Sequence, residues 1–384
     1  MRRLTSSLLT AALLGSGLAA APAEAAPVRQ VAYTQWDAPA TLQALPAGVD
    51  RRTWTGPWTT PGFALTRLVA SWSARTPGAS RVRIEVRGRT AATTSSWDTL
   101  AIWAAGDRFV RRATRSGQAD DLGSVNVDTW VVPNGVTSYQ LRVTMVRRAG
   151  QRTSPRVAAV GAMASRLPSV SSVPTSAPGV ASGVVLDVPT YSQMIHRGHY
   201  PAYGAGGEAW CSPTSTSMVL GYYGALPSAA AYSWVPAGHV DPWVDHAARM
   251  TYDYAYDGTG NWPFNTAYAA TLVDRAFVTR LRSLREAELF IAAGIPLVAS
   301  IAFDRGGLDG APISSTDGHL VVIVGFTAEG DVVVNDPAAT TDAEVRRTYD
   351  RGQFENAWIP SSGGTVYVIA DRAHPLPAGG YSNW

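Results

Sequence analysis

Apolar and charged residues alternate without a break through Arg81-Val82-Arg83-Ile84-Glu85-Val86-Arg87. A strand shows every second side chain to the same face, so this pattern predicts a half-buried antiparallel strand. Leu141, Val143 and Met145 alternate with Gln140, Arg142 and Thr144 in the same way, and residues 64–74, 97–104 and 129–132 read as further strands. Gly, Pro, Asn and Asp separate these runs, and none carries a helical period. Residues 30–167 are therefore expected to form an all-β, sandwich-like domain. Its tryptophans, Trp54, Trp58, Trp72, Trp97, Trp103 and Trp130, are expected in the core or at its rim. Residues 168–183, PSVSSVPTSAPGVASG, hold no charge and little to bury, and read as a linker.

From residue 184 to 377 the pattern changes. A helix is expected over 215–223, with Ser212 as N-cap, Pro213 in the first turn and Gly224 past the end. Asp241-Pro242 opens a second helix, whose His246 is expected to face solvent or pack in part. A third helix is expected over Thr266 to Leu272, and Ser283-Leu284-Arg285-Glu286 reads as a capping box before a fourth. Apolar runs at 295–303, 320–326, 332–334 and 365–368 read as core strands.

The first 25 residues stand apart. Arg2 and Arg3 precede the apolar stretch Leu8 to Ala20, and Ala23-Glu24-Ala25 offers the small residues of a leader cleavage site. This reads as a signal peptide and predicts a secreted protein, with no run long enough to span a membrane. Export gives the single cysteine meaning, because Cys211 can form no intrachain disulfide in an oxidising compartment. All 32 basic residues are arginine and the net charge is +3, but they lie singly or in pairs, so no nucleic-acid surface is expected.

Cys211 falls at the start of the predicted helix, where unpaired N–H groups and the helix dipole favour negative charge. A nucleophilic sulfur needs a base and a group to orient that base. His319 begins an apolar strand, 331 ends its hairpin loop, and Val332-Val333-Val334-Asn335-Asp336-Pro337 returns. A turn centred between Ala328 and Glu329 sets Asp336 opposite Val321 and on the same face as His319. Read from the residues alone, His319 could be a hydrogen-bonded edge residue and Asp336 a turn cap.

The stretches VPTYSQ, WCSPTSTSMVLGYYG, GHLVVIVGF and VVVNDPA together resemble the C39-like cysteine peptidases of the papain-like superfamily, from Val185 to near the C-terminus. The resemblance implies an α+β papain-like domain, with a helix carrying the cysteine against an antiparallel sheet. It implies Cys211 as nucleophile, His319 as base, Asp336 as orienting residue and Gln193 as oxyanion donor. Two positions depart from the family pattern. Ser212 stands where glycine is usual, and Gln193 precedes Cys211 by 18 residues that include His196, Arg197, Gly198 and His199.

The expected activity is hydrolysis of a peptide or amide bond by a monomer. Cell-wall crosslinks, extracellular proteins and small amides are all candidate substrates. Acyl transfer on the same apparatus and a silent, polymer-binding protein are the alternatives. No cofactor is expected, and no metal, because His196 and His199 have no third ligand at zinc-site spacing. Trp262 and Trp358 are candidate cleft residues.

Overall fold

The computed structural model describes residues 28–37 and 39–384; the expected signal peptide lies outside the described residues. The N-terminal half comprises β1 (Gln30–Asp37), β2 (Arg51–Thr55), β3 (Leu65–Arg75), β4 (Ser80–Arg89), β5 (Asp98–Trp103), β6 (Ala113–Thr114), β7 (Ser124–Asn126), β8 (Thr129–Val136), β9 (Ser138–Arg147) and β10 (Arg156–Arg166). They form two antiparallel sheets, ordered β1-β10-β3-β8-β7 and β2-β9-β4-β5-β6. The alternating run in β4 buries Val82, Ile84 and Val86 completely, as period-two patterning requires. Trp72, Trp103 and Trp130 are core residues, whereas Arg87 and Arg142 lie over the ring of Trp97, and Arg87 and Arg89 over that of Trp58.

The second half comprises α1 (Cys211–Tyr222), α2 (Pro242–Thr251), α3 (Trp262–Ala269), β11 (Arg275–Arg280), α4 (Leu284–Ala292), β12 (Leu297–Phe303), β13 (Thr316–Phe326), β14 (Val332–Asn335), β15 (Arg346–Tyr349), α5 (Arg351–Ser362) and β16 (Thr365–Ala370). Its six strands make one antiparallel sheet, ordered β11-β16-β12-β13-β14-β15. No helix among the described residues is long and apolar enough to cross a membrane.

Several local expectations change. The first helix begins at Cys211 itself, and Ser212 is no N-cap, since its hydroxyl pairs with the Tyr367 hydroxyl at 2.9 Å. Ser283 makes no side-chain cap, because Glu286 bonds the Arg282 backbone and guanidinium instead. Asp241 likewise makes no cap bond and takes a left-handed conformation at φ 46°. His246 is buried rather than solvent-facing. Trp358 is fully buried on α5 with its indole N–H donating to the Thr365 carbonyl, away from any cleft.

The segment 168–183 lacks regular structure, yet its backbone is held. Val173 N–H donates to Asn356, Ser176 N–H to Glu355 at 2.7 Å, and Ala181 N–H to Glu288. Arg351 donates to the Ser176 carbonyl and to Glu288, so the segment is strapped across α4 and α5. The two halves also share a core, in which Trp72 and Trp103 pack edge-on or tilted against Phe264 of α3. Val278 N–H of β11 donates to Ser71 of β3 at 2.9 Å.

Arg112 pins this junction. It is fully buried, and its guanidinium donates to the carbonyls of Ala104 and Ala105 on one side and Arg249 and Tyr252 on the other. Beside it, Asp253 accepts from Thr114, Ala255, Tyr256 and Asn261, and Asn261 in turn caps α3 through Phe264 N–H.

Candidate active site

Pro213 in the first turn of α1 needs no N–H partner there, so the helix can open directly at Cys211. Behind it, Gly207 has no room for a side chain: an added Cβ would stand 2.3 Å from the His196 carbonyl and 2.7 Å from that of Gln193. That close approach lets the turn Gln193–His196 lie against the chain just before Cys211. Ser215 on α1 donates to the Leu320 carbonyl at 2.9 Å, which fixes the helix to β13 beside His319.

The hairpin of β13 and β14 supplies the other groups. Ladder partners are Phe326↔Val332 and Gly325↔Val333 near the loop, then Ile323↔Val334 and Val322↔Asn335 beyond a bulge at Val324. Continuing this register puts Asp336 opposite Val321, as the sequence predicts. The route differs: the pairs nearest the loop centre on Glu329, half a residue past the predicted turn centre, and the bulge restores the register. His319 Nε2 lies 2.7 Å from Asp336 Oδ1, and both side chains are buried.

Asp336 is held at both oxygens. Ala338 N–H reaches Oδ1 at 3.0 Å and the Tyr349 hydroxyl donates to Oδ2 at 2.8 Å. Burial alone would favour the neutral acid, but His319 and these donors outweigh it and hold the carboxyl below its usual range. For His319, burial opposes the charge, while Asp336 and, after it, the neighbouring Cys211 sulfur raise its affinity for a proton. With Nε2 turned to Asp336, Nδ1 is the nitrogen left for the sulfur. The ring therefore keeps its proton through neutral pH and yields it only as pH rises, whereas Asp336 loses its charge only in acid.

Gln193 is buried in its turn, held by its own N–H to the Pro337 carbonyl at 2.9 Å. Its side-chain Nε2 donates to the Glu208 carbonyl at 2.7 Å. One amide hydrogen thus braces the loop before Cys211, and the second remains for another acceptor.

Cys211 is half-buried at the floor of a cleft of about 620 Å³. One wall is Ala209, Tyr256 and Trp262; Asp317, Gly318 and Leu320 line another. The remaining wall comes from the N-terminal half, through Arg67 and the β7–β8 turn at 126–129. Val127 in that turn has φ 52°, costly for a β-branched residue, and Asp128 accepts from Trp262 N–H at 3.2 Å. Burial raises the Asp128 carboxyl to about 6, against its hydrogen bonds from Trp262 and Thr129. Sequence reasoning found Trp262 but not Tyr349, Val127 or Asp128. Nothing in the local sequence marks these three, because the strain at Val127 appears only once the turn is folded.

His196 and His199, for which the sequence offers no third ligand at zinc-site spacing, both lie against a carboxylate. Asp245 of α2, 49 and 46 positions further along, meets both rings.

Residues 185–366 match the Peptidase C39 like family, and residues 17–165 match the Peptidase C39 N-terminal domain. The chain belongs to the C39-like peptidase family. The N-terminal half, which the sequence resemblance left out, is thus a domain type associated with these peptidases. No curated protein matches the chain. A solved structure described as "Structure of infectious bursal disease virus Gt strain" aligns at 14% identity and a TM-score of 0.19. The alignment covers 41% of this chain and 37% of that one, and it carries no argument.

Proposed function

We propose that this C39-like chain is a secreted cysteine peptidase in which Cys211 attacks, His319 exchanges protons, Asp336 orients His319 and Gln193 steadies the oxyanion. The observation that carries this reading is the buried His319 ring, set between the Asp336 carboxylate and the Cys211 sulfur at the floor of an open cleft. A helix with cysteine at its first residue, packed on an antiparallel sheet bearing the histidine, also supports a papain-like arrangement of this half.

In this account the Cys211 proton already rests on His319 Nδ1, and the sulfur, as thiolate, adds to the scissile carbonyl carbon. The carbonyl electron pair moves to oxygen, which meets the Cys211 N–H at the helix start and the free Gln193 amide hydrogen. Collapse re-forms the carbonyl and breaks the C–N bond, and the amine leaves with the proton held by His319. Water, deprotonated by the same ring, then cleaves the thioester. Substrate in the cleft would touch both halves, so the Val127-Asp128 turn would contribute to selectivity.

The test is mass spectrometry of a peptide library and wall fragments incubated with the purified protein, with Cys211→Ala as blank. New termini that appear only with the wild type support the reading, and identical product sets refute it. Gln193→Ala is expected to lower kcat by about 10²–10³-fold while leaving alkylation of Cys211 nearly unchanged, because the amide acts on the oxyanion and not on the sulfur. Stopped-flow turnover beside a labelling time course reads both quantities.

A further inference from the structure

Three of the chain's six histidines converge on one carboxylate. Asp245 lies fully buried on α2. His196 Nδ1 stands 3.0 Å from its Oδ2, His199 Nδ1 2.9 Å from its Oδ1, and His239 Nδ1 3.7 Å from the same Oδ1. The His199 and His239 rings stack with centroids 3.9 Å apart. At 3.0 and 2.9 Å hydrogen bonding explains the first two rings, and at 3.7 Å it does not explain the third. His239 Nδ1 is buried with no hydrogen-bond partner.

All three rings turn the same atom, Nδ1, towards Asp245. The ligand atoms of His196, His199 and Asp245 all lie within 4.8 Å of one another, close enough to share one ion, and His239 Nδ1 stands beside the same carboxylate. A second carboxylate adds negative charge: Asp241, four residues before Asp245, has a buried Oδ2 without a partner and an electrostatic coupling to His196. Asp241 also holds an unfavourable left-handed backbone. His196 and Asp245 are closed off, but the His199 and His239 side chains are 23% and 26% exposed, which leaves a way in for an ion.

We propose that His196, His199, His239 and Asp245 form a binding site for one divalent transition-metal ion. Imidazole and carboxylate donors fit zinc first. The site joins three separate pieces of chain: the turn that begins at Gln193, the loop before α2, and α2 itself. The His196 ring packs 6.1 Å from the Trp210 indole, and Trp210 precedes Cys211. The ion would therefore stiffen the segment that leads into α1, a structural role independent of whether Cys211 is catalytic.

The test uses the full chain, stripped with a chelator, exposed to zinc and desalted before metal analysis. The expected result is about one zinc per wild-type chain and a melting temperature several degrees higher with zinc than without. His199→Ala and His239→Ala are each expected to lose the retained zinc and the thermal shift while keeping the wild-type circular dichroism. His239 contributes no hydrogen bond through Nδ1, so its replacement leaves no partner unmet and separates metal binding from folding. A wild-type chain that retains no zinc, or variants that both retain it in full, would overturn the proposal.

Discussion

Cys211→Ala and His319→Ala are each expected to reduce kcat/KM by about 10⁴–10⁶-fold, and the double variant by scarcely more than either. The reason is that sulfur and ring act as one unit: without the ring the thiol keeps its proton, and without the sulfur the ring has no nucleophile to serve. Cys211→Ala should leave the fold intact, since Cys211 is only half-buried, whereas His319→Ala leaves the buried Asp336 with only its bonds from Tyr349 and Ala338, so circular dichroism of that variant accompanies the kinetics. Steady-state kinetics on any peptide found by the library screen measures the loss. Additive losses in the double variant would mean that the two residues act separately.

The largest expected effect on stability lies away from the cleft, at Arg112. Arg112→Leu would remove the donors of four carbonyls at 2.7–3.3 Å and leave them in a buried junction. The cost is expected to be about 3–5 kcal/mol, with a melting temperature lower by about 10 °C. Burial lowers the guanidinium's proton affinity to about 10, against the attraction of Asp107 and other neighbours, so Arg112 still carries its charge at neutral pH. Because the cleft has walls from both halves, KM should rise in the same variant. A thermal melt within about 2 °C of the wild type would show that the junction does not depend on this residue.

Much of this fold can be read from local pattern. The strict alternation in β4 and β9 and the apolar runs of β12, β13 and β16 each specify one element with one period. Cys211 and Asp336 could be placed because each sits at an element's end, whereas β13 begins at Thr316, three residues before His319, where the sequence sets its start. Their register came out as predicted through two compensating irregularities, the shifted loop and the bulge at Val324, neither of which periodicity can reveal.

What was hidden depends on distant partners. The segment 168–183 looks like a free linker because it lacks charge, yet Glu355, Glu288 and Asn356 capture its backbone from helices more than a hundred residues away. Ser212 reads as a cap until Tyr367 offers its hydroxyl. Asp128 looks like an ordinary turn residue until α3 brings Trp262 to it. His239 and Asp245 show no spacing to His196 and His199 that a ligand motif would flag, because three separate pieces of chain must fold before they meet.

The account's central claim is that His319 and Cys211 work as a pair. The most direct measurement is the rate at which an iodoacetamide-type reagent alkylates Cys211 at pH 6, in the wild type and in His319→Ala. The pair predicts fast labelling in the wild type and slow labelling in the variant, since the protonated ring beside the sulfur favours a thiolate that an isolated thiol would not form at that pH. Equal, slow labelling of both proteins would contradict it.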